Sequence, residues 1–194
     1  MDPDFPSSLM SLTYDNIVVT GSLSKAYSLA GIRVGWAASR SLALVERLAN
    51  ARHYLNISVS MLDQQVASLA TSQLCVHGLL ARNIALAKAN LAVLDGFVRE
   101  NAASCEWVKP VAGTTAFIKF RREWKAIDDV EFCEKLQAET GVSFVPGSRC
   151  FGDGIDFRGF VRVGFVCEAE VLAAGLDAVS SFLRGETWRQ ITTV

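Results

Sequence analysis

Two histidines, His53 and His77, are all that 194 residues provide, and neither sits near cysteines at a metal-ligand spacing. A Cys/His metal centre therefore has no support, and a Ser-His-Asp arrangement has little choice of base. The five cysteines, at 75, 105, 133, 150 and 167, are odd in number and include no C-x-x-C pair. They read as reduced, mostly buried thiols rather than a disulfide framework. Charge of one sign is missing too. A formal net charge of -1 and a pI of about 6.1 give no general pull toward nucleic acid or an anionic membrane. Hydrophobic residues make up 51 % of the chain and mean hydropathy is +0.27, yet no apolar run approaches the roughly 20 residues of a membrane span. The opening, MDPDFPSSLMSL, holds neither a basic region nor a continuous apolar core, so a cytoplasmic protein without a targeting segment is expected. Internal repeats and low-complexity tracts are absent.

What is present is periodicity. Residues 16–20 form a β-branched run that reads as a buried strand, with Gly-Ser-Leu-Ser as its exit loop, and residues 33–39 read as a second strand. Leucines and alanines at helical spacing predict helices over 41–54 and 60–74, each opened by a serine. Asp63 stands near the positive end of the second helix. From 76 to 100 the residues Leu80, Ile84, Ala87, Leu91, Leu94 and Val98 recur at threes and fours with no proline between them. That predicts one helix, roughly 38 Å long at 1.5 Å per residue. Beyond 101 the texture becomes an α+β lobe, with strands at 106–109, 115–120, 142–145 and 160–166 and helices at 129–140 and 168–183. The expected organisation is a first lobe over 1–75, a long linking helix over 76–101 and a second lobe over 102–194. Two strands are few for a stable first lobe, so strands from elsewhere are expected to complete it, in a homo-oligomer or in a complex with a complementing chain.

The stretch GSLSKAYSLAGIRVGW, residues 21–36, follows the first strand, and a loop leaving the end of a strand is where open α/β sheets hold ligands. Ser22 and Ser24 offer hydroxyl donors, and Arg33 a permanently charged fork suited to phosphate oxygens. Lys25 offers an amine that becomes a nucleophile once desolvated or placed near another cation. Gly21, Gly31 and Gly35 remove side chains where a ligand or a second backbone comes close. Phosphate joined to an aldehyde is what such a set accepts, and pyridoxal 5'-phosphate meets both requirements. Plainer readings stand beside these: a solvated lysine, turn serines bonded to local backbone, and Arg33 paired with a surface carboxylate. Alternation over 160–166 puts Val161, Val163 and Phe165 on a core face, and Phe160, Arg162, Gly164 and Val166 on the other. An arginine buried there needs an anion, either a ligand or an internal Asp or Glu.

Ser22-Leu23-Ser24-Lys25, followed by Leu29, Gly31 and Arg33-Val34-Gly35, resembles the cofactor-attachment motif of class I/II aminotransferases, which are pyridoxal-phosphate-dependent enzymes of fold type I. Gln65, Val145-Pro146-Gly147, Phe151-Gly152 and Val161-Arg162-Val163 then fall in family order. The resemblance implies an α/β fold: the C-terminal part of a fold type I large domain, here 1–75, followed by an α+β small domain. It implies Lys25 as the Schiff-base lysine and proton shuttle, Ser22, Ser24 and Arg33 at the cofactor phosphate, and Arg162 at the substrate α-carboxylate. An amino acid and a 2-oxo acid would be the substrates.

In such enzymes a glycine-rich phosphate turn, a ring-stacking aromatic, an asparagine at the ring hydroxyl and an aspartate at the ring nitrogen all precede the lysine. Twenty-four residues precede Lys25 here, and Asp2, Asp4 and Asp15 do not stand in a matching context. The expectation is an aminotransferase in a shortened form, completed by another polypeptide or truncated. Two alternatives remain open. One is a non-catalytic remnant that serves as an interaction or regulatory subunit, and the other is a lyase or cyclase using the same cofactor.

Overall fold

The computed structural model describes residues 7–154 and 156–194. Two compact units divide the chain, one ending at Asn83 and the other running from Ile84 to Val194.

In the first unit β1 (Val19–Ser22) pairs antiparallel with β2 (Gly35–Ala38), with Val19 opposite Ala38 and Ser22 opposite Gly35. This corrects two sequence expectations. The first strand lies later than 16–20 and includes Gly21 and Ser22, which were expected in the exit loop. It is not buried: its residues alternate between half-buried and exposed. Among the described residues β1 pairs with β2 alone, so residues 23–34 connect two antiparallel strands. Two glycines owe their place to this pairing. A Cβ on Gly21 would run into the Trp36 indole, and one on Gly35 would come 2.8 Å from the Gly21 carbonyl oxygen. Gly31 faces open space.

Ser41 precedes α1 (Leu42–Leu55), whose last turn carries Arg52 and His53 at the negative end of the helix dipole. Ser60 caps α2 (Met61–Thr71), its hydroxyl accepting from the Asp63 N–H. The long helix α3 (Val76–Glu100) has the predicted bounds, its first residues in one unit and the rest in the other.

The second unit is built on an antiparallel sheet in the order β3-β4-β7-β6, from β3 (Cys105–Trp107), β4 (Thr115–Arg122), β6 (Val145–Pro146) and β7 (Phe160–Gly164), with β5 (Lys125–Ala126) paired to β4. The strand expected over 142–145 shrinks to two residues, and that expected over 106–109 shifts to 105–107. Period-two alternation turns Ala116, Ile118 and Phe120 of β4, with Val161 and Val163 of β7, into the core. The helix α4 (Asp129–Thr140) starts on Asp128, whose carboxylate accepts from the N–H groups of Val130 and Glu131, and stops at Gly141, left-handed at φ 75°. The apolar stripe Leu172, Leu176, Val179, Phe182 and Leu183 of α5 (Ala169–Arg184) joins the same core. The sequence pattern missed α6 (Glu186–Gln190), a short helix that contributes the buried Trp188.

A buried carboxylate closes the segment between α4 and β7. Asp129 Oδ2 accepts from the backbone N–H and hydroxyl of Ser148, and Oδ1 accepts from Gly159 N–H, at 2.7 to 3.1 Å. Gly147 lets this segment lie on the sheet, since a Cβ there would meet Phe160 O at 2.6 Å and the Phe117 ring at 2.8 Å. No helix among the described residues is long and apolar enough to cross a membrane.

Candidate functional site

Four of the five residues singled out from sequence, Ser22, Ser24, Lys25 and Arg33, lie on one piece of chain, the end of β1 and its connection to β2. That connection closes on itself. Leu23 N–H donates to Val34 O at 3.1 Å, Leu29 N–H to Leu23 O at 3.0 Å and Ser28 N–H to Lys25 O at 2.9 Å. Leu23 is the inward anchor, 1 % exposed. Lys25, next but one to it, is exposed and begins the tight turn 25–28.

Ser22 Oγ donates to Ser24 Oγ at 2.9 Å and accepts from the Ser24 N–H at 3.0 Å. The plain reading of the serines as turn formers is thus partly realised, and it leaves both hydroxyls close together beside Lys25. Arg33 does not begin a strand, as the sequence pattern suggested. It ends a 3-10 turn over Ala30–Ile32 in the left-handed region, with φ 52° and ψ 38°. Its Nη1 donates to Ala30 O at 3.0 Å, and among the described residues no carboxylate pairs with it. Ser28 is left-handed as well, with φ 56°. Two non-glycine residues in this conformation within six positions store strain of roughly 1–3 kcal/mol each, which is typical of ligand clamps and active-site loops.

A further contact comes from outside the loop. Asn83 on α3 donates from Nδ2 to the carbonyl of Ala26, the residue after Lys25, at 2.8 Å. Sequence reasoning overlooked it. The only trace was an asparagine on the inner face of an apolar helix, a pattern with many innocent explanations.

Arg162, the fifth residue, stands on β7 in the second unit, opposite both Phe117 and Val145. Its face is as the alternation predicts, with Val161 and Val163 turned to the core. The buried state considered for it is corrected: Arg162 is exposed, and no internal Asp or Glu pairs with it among the described residues. Around it the same sheet face carries Phe117 and Phe160, stacked with centroids 5.0 Å apart. Phe151 and Phe157 meet Phe117 edge-on at 6.0 and 5.4 Å. On the far side of that face Arg121 and Lys119 are both paired with Glu106.

All five thiols are unpaired. Burial pushes Cys105 and Cys133 up to about 12, which keeps them protonated and inert.

These features can be set beside known proteins. The family model of aminotransferase class I and II matches residues 3–179, and the chain belongs to that family. Capreomycidine synthase of Streptomyces vinaceus is 34 % identical over 169 residues, 87 % of this chain and 41 % of that protein. Aspartate aminotransferase of Thermotoga maritima is 30 % identical over 172 residues, 88 % of this chain and 40 % of that one. Among solved structures, a PLP-dependent aminotransferase from Streptococcus suis matches with a TM-score of 0.77 at 36 % identity, covering 88 % of this chain and 42 % of that one. The PLP-dependent cyclase OrfR matches with a TM-score of 0.75 at 32 % identity, covering 86 % and 43 %. The mixed α/β architecture is that of fold type I pyridoxal-phosphate-dependent aminotransferases. The chain spans about 40 % of the length of the curated relatives it matches.

The donor set fits pyridoxal phosphate at two of its ends. A primary amine suits the aldehyde, and two adjacent hydroxyls with a guanidinium suit the phosphate dianion. For the ring nitrogen, Asp2 and Asp4 lie outside the described residues, and Asp15 is exposed on the segment before β1.

Proposed function

We propose that this chain carries the lysine-bearing part of a pyridoxal-phosphate-dependent aminotransferase, which moves an amino group between an amino acid and a 2-oxo acid. The observation that carries the reading is the placement of Ser22, Ser24, Lys25 and Arg33 on one strained, internally bonded stretch, the end of β1 and its connection to β2. Lys25 would hold the cofactor aldehyde covalently and, when released by substrate, accept and return a proton at the substrate Cα. Ser22, Ser24 and Arg33 would donate to the phosphate, and Arg162 to the substrate carboxylate. Bound pyridoxal phosphate supplies an electron sink that stabilises negative charge at that carbon. On this reading residues 1–75 belong to the cofactor-binding domain, 76–101 form the linking helix and 102–194 form the small domain. Large apolar side chains left exposed in the first unit, among them Leu55, Leu62 and Leu74, support association with a second copy or a complementing chain.

Similarity to capreomycidine synthase and to a cyclase supports a second reading, in which the same lysine serves a lyase or cyclase reaction. Incubation with pyridoxal phosphate followed by borohydride reduction is expected to label Lys25, and Lys25→Ala is expected to abolish both that label and the visible absorption of the bound cofactor. Equal labelling of all lysines would refute both readings. Where Lys25 is labelled, formation of a 2-oxo acid from an amino-acid panel separates transfer from cyclisation.

A further inference from the structure

We infer that Asn83 is a positioning residue for Lys25: its side-chain amide fixes the turn that carries the lysine, and Arg82 fixes the amide. The inference rests on the role proposed above for Lys25. Asn83 is 7 % exposed, and it is the one buried polar side chain of the first unit among the described residues. Its Nδ2 donates to Ala26 O at 2.8 Å, while its Oδ1 accepts from Nε and Nη2 of Arg82 at 3.2 and 3.1 Å. A guanidinium has donors only, so it can face the oxygen of the amide and not the nitrogen. Arg82 therefore sets the polarity of Asn83, and the donor is left pointing at the lysine loop.

The other bonds of residues 23–34 stay within the β1–β2 hairpin: the serine pair, Arg33 to Ala30, and the backbone bonds at Leu23, Ser28 and Leu29. They give the loop its shape, while the buried Leu23 side chain ties it to the unit by packing alone. Among the described residues, Asn83 makes the only side-chain hydrogen bond that ties this segment to an element outside the hairpin. Its acceptor is the carbonyl of Ala26, in the peptide that joins Ala26 to Tyr27, one residue beyond Lys25 and inside the tight turn 25–28, where a small rotation of the backbone is passed to the lysine side chain. A nucleophile must be held close to its reactive geometry, so loss of this one bond should be felt in Lys25 reactivity more than in folding.

Asn83→Asp separates the donor from the volume. It keeps the shape of the side chain and the contact with Arg82, and it turns an oxygen toward the Ala26 carbonyl in place of the N–H. The full chain is incubated with pyridoxal phosphate, reduced with borohydride and mapped by peptide mass, with labelling of Lys25 taken relative to Lys88 and Lys135. Relative Lys25 labelling is expected to fall roughly fivefold in Asn83→Asp, the scale of one lost hydrogen bond, with the visible absorption of bound cofactor falling alongside and only a small change in melting temperature, since the continuous core lies in the other unit. A purely structural role would move the melting temperature and spare the ratio. If Asn83→Asp does not fold, Arg82→Met decides. Arg82 is exposed, and its replacement frees the amide to turn, so reduced relative labelling supports the inference and unchanged labelling overturns it. Unchanged labelling in a folded Asn83→Asp likewise overturns it and leaves the reading of Lys25 intact. Wild-type protein labelled no more at Lys25 than elsewhere would overturn that reading and this inference together.

Discussion

The unit from Ile84 to Val194 gathers a continuous core from Leu94 to Ile191, with Ile118, Phe120, Phe132, Leu136 and Val161 fully enclosed. The unit ending at Asn83 buries only Leu23, Ala70 and Asn83 among the described residues. Its helix α1 buries nothing at all, while Tyr54 and Leu55 stand 91 % and 83 % exposed. The lysine loop thus lies in the unit with the least packing to hold it. Hydrophobic burial scales with area removed from water, so what shapes that loop is hydrogen bonding: a closed set of backbone bonds, a serine pair and one amide. A site held in this way opens locally at low cost unless something covers it.

The comparison breaks most visibly with core truncation. Phe132 is fully buried and packs against Phe120, Phe182 and Trp188 with centroid separations of 4.7, 5.8 and 5.8 Å. Phe132→Ala is expected to destabilise the second unit by about 3–5 kcal/mol, read as a drop in the denaturant midpoint. Leu23→Ala should leave that midpoint in place and instead speed amide exchange over residues 23–29. Equal global losses from the two variants would show that the units do not differ in the way described.

A smaller effect sharpens the same contrast. Asp129 is 2 % exposed and accepts three hydrogen bonds from Ser148 and Gly159. Asp129→Ala leaves those donors unmatched inside the protein, at a cost of about 2–3 kcal/mol. Faster amide exchange should be confined to residues 147–159 and the start of β7, which carries Arg162. A uniform loss across the unit would mean that Asp129 supports the core generally and does not fasten that segment.

How much of this was legible in the sequence follows the same divide. Where side chains find their partners within the chain, periodicity went furthest: α3 and α4 have the predicted bounds and the alternation of β7 puts Val161 and Val163 inside, while the short β6 and α6, too brief to show a period, were overstated or missed. In the first unit a β-branched run at 16–20 suggested a buried strand, but β1 has a single neighbour and stays half exposed. Hydrophobic pattern reports what a residue could bury, and burial also requires a partner. At the site, residue type and spacing singled out Ser22, Ser24, Lys25 and Arg33, since an amine, hydroxyls and a guanidinium carry their chemistry in their identity. Asn83 and Asp129 were invisible because an amide or carboxylate gains its role only from the distant backbone it meets, Ala26 in one case and Gly159 in the other.

The smallest effect concerns the C-terminal strip of the second unit. Glu131 accepts from Lys135 at 2.7 Å and from the Thr192 N–H at 2.8 Å. The Lys135 bond first, and then the Thr192 backbone, hold its carboxyl down at about 2, against an ordinary value of 4.5. A folded-state pKa below the unfolded one means that the native state favours the charged form, so the stabilisation is complete above about 4.5 and is lost as pH falls toward 2. The loss should be local, because the Thr192 strip is also bonded to Asp128 and Ala126, through Thr192 O and the Val194 N–H. Between pH 5 and pH 2.5, roughly the span of that titration, amide protection at Thr192 and Val194, taken relative to the intrinsic exchange rate at each pH, is expected to fall before that of the sheet. Glu131→Gln should show the faster exchange already at pH 7 and lose most of its pH dependence. If Glu131→Gln instead retains the wild-type acid profile, another carboxylate governs the strip, and the Lys135–Glu131–Thr192 link contributes nothing measurable to the better-packed unit.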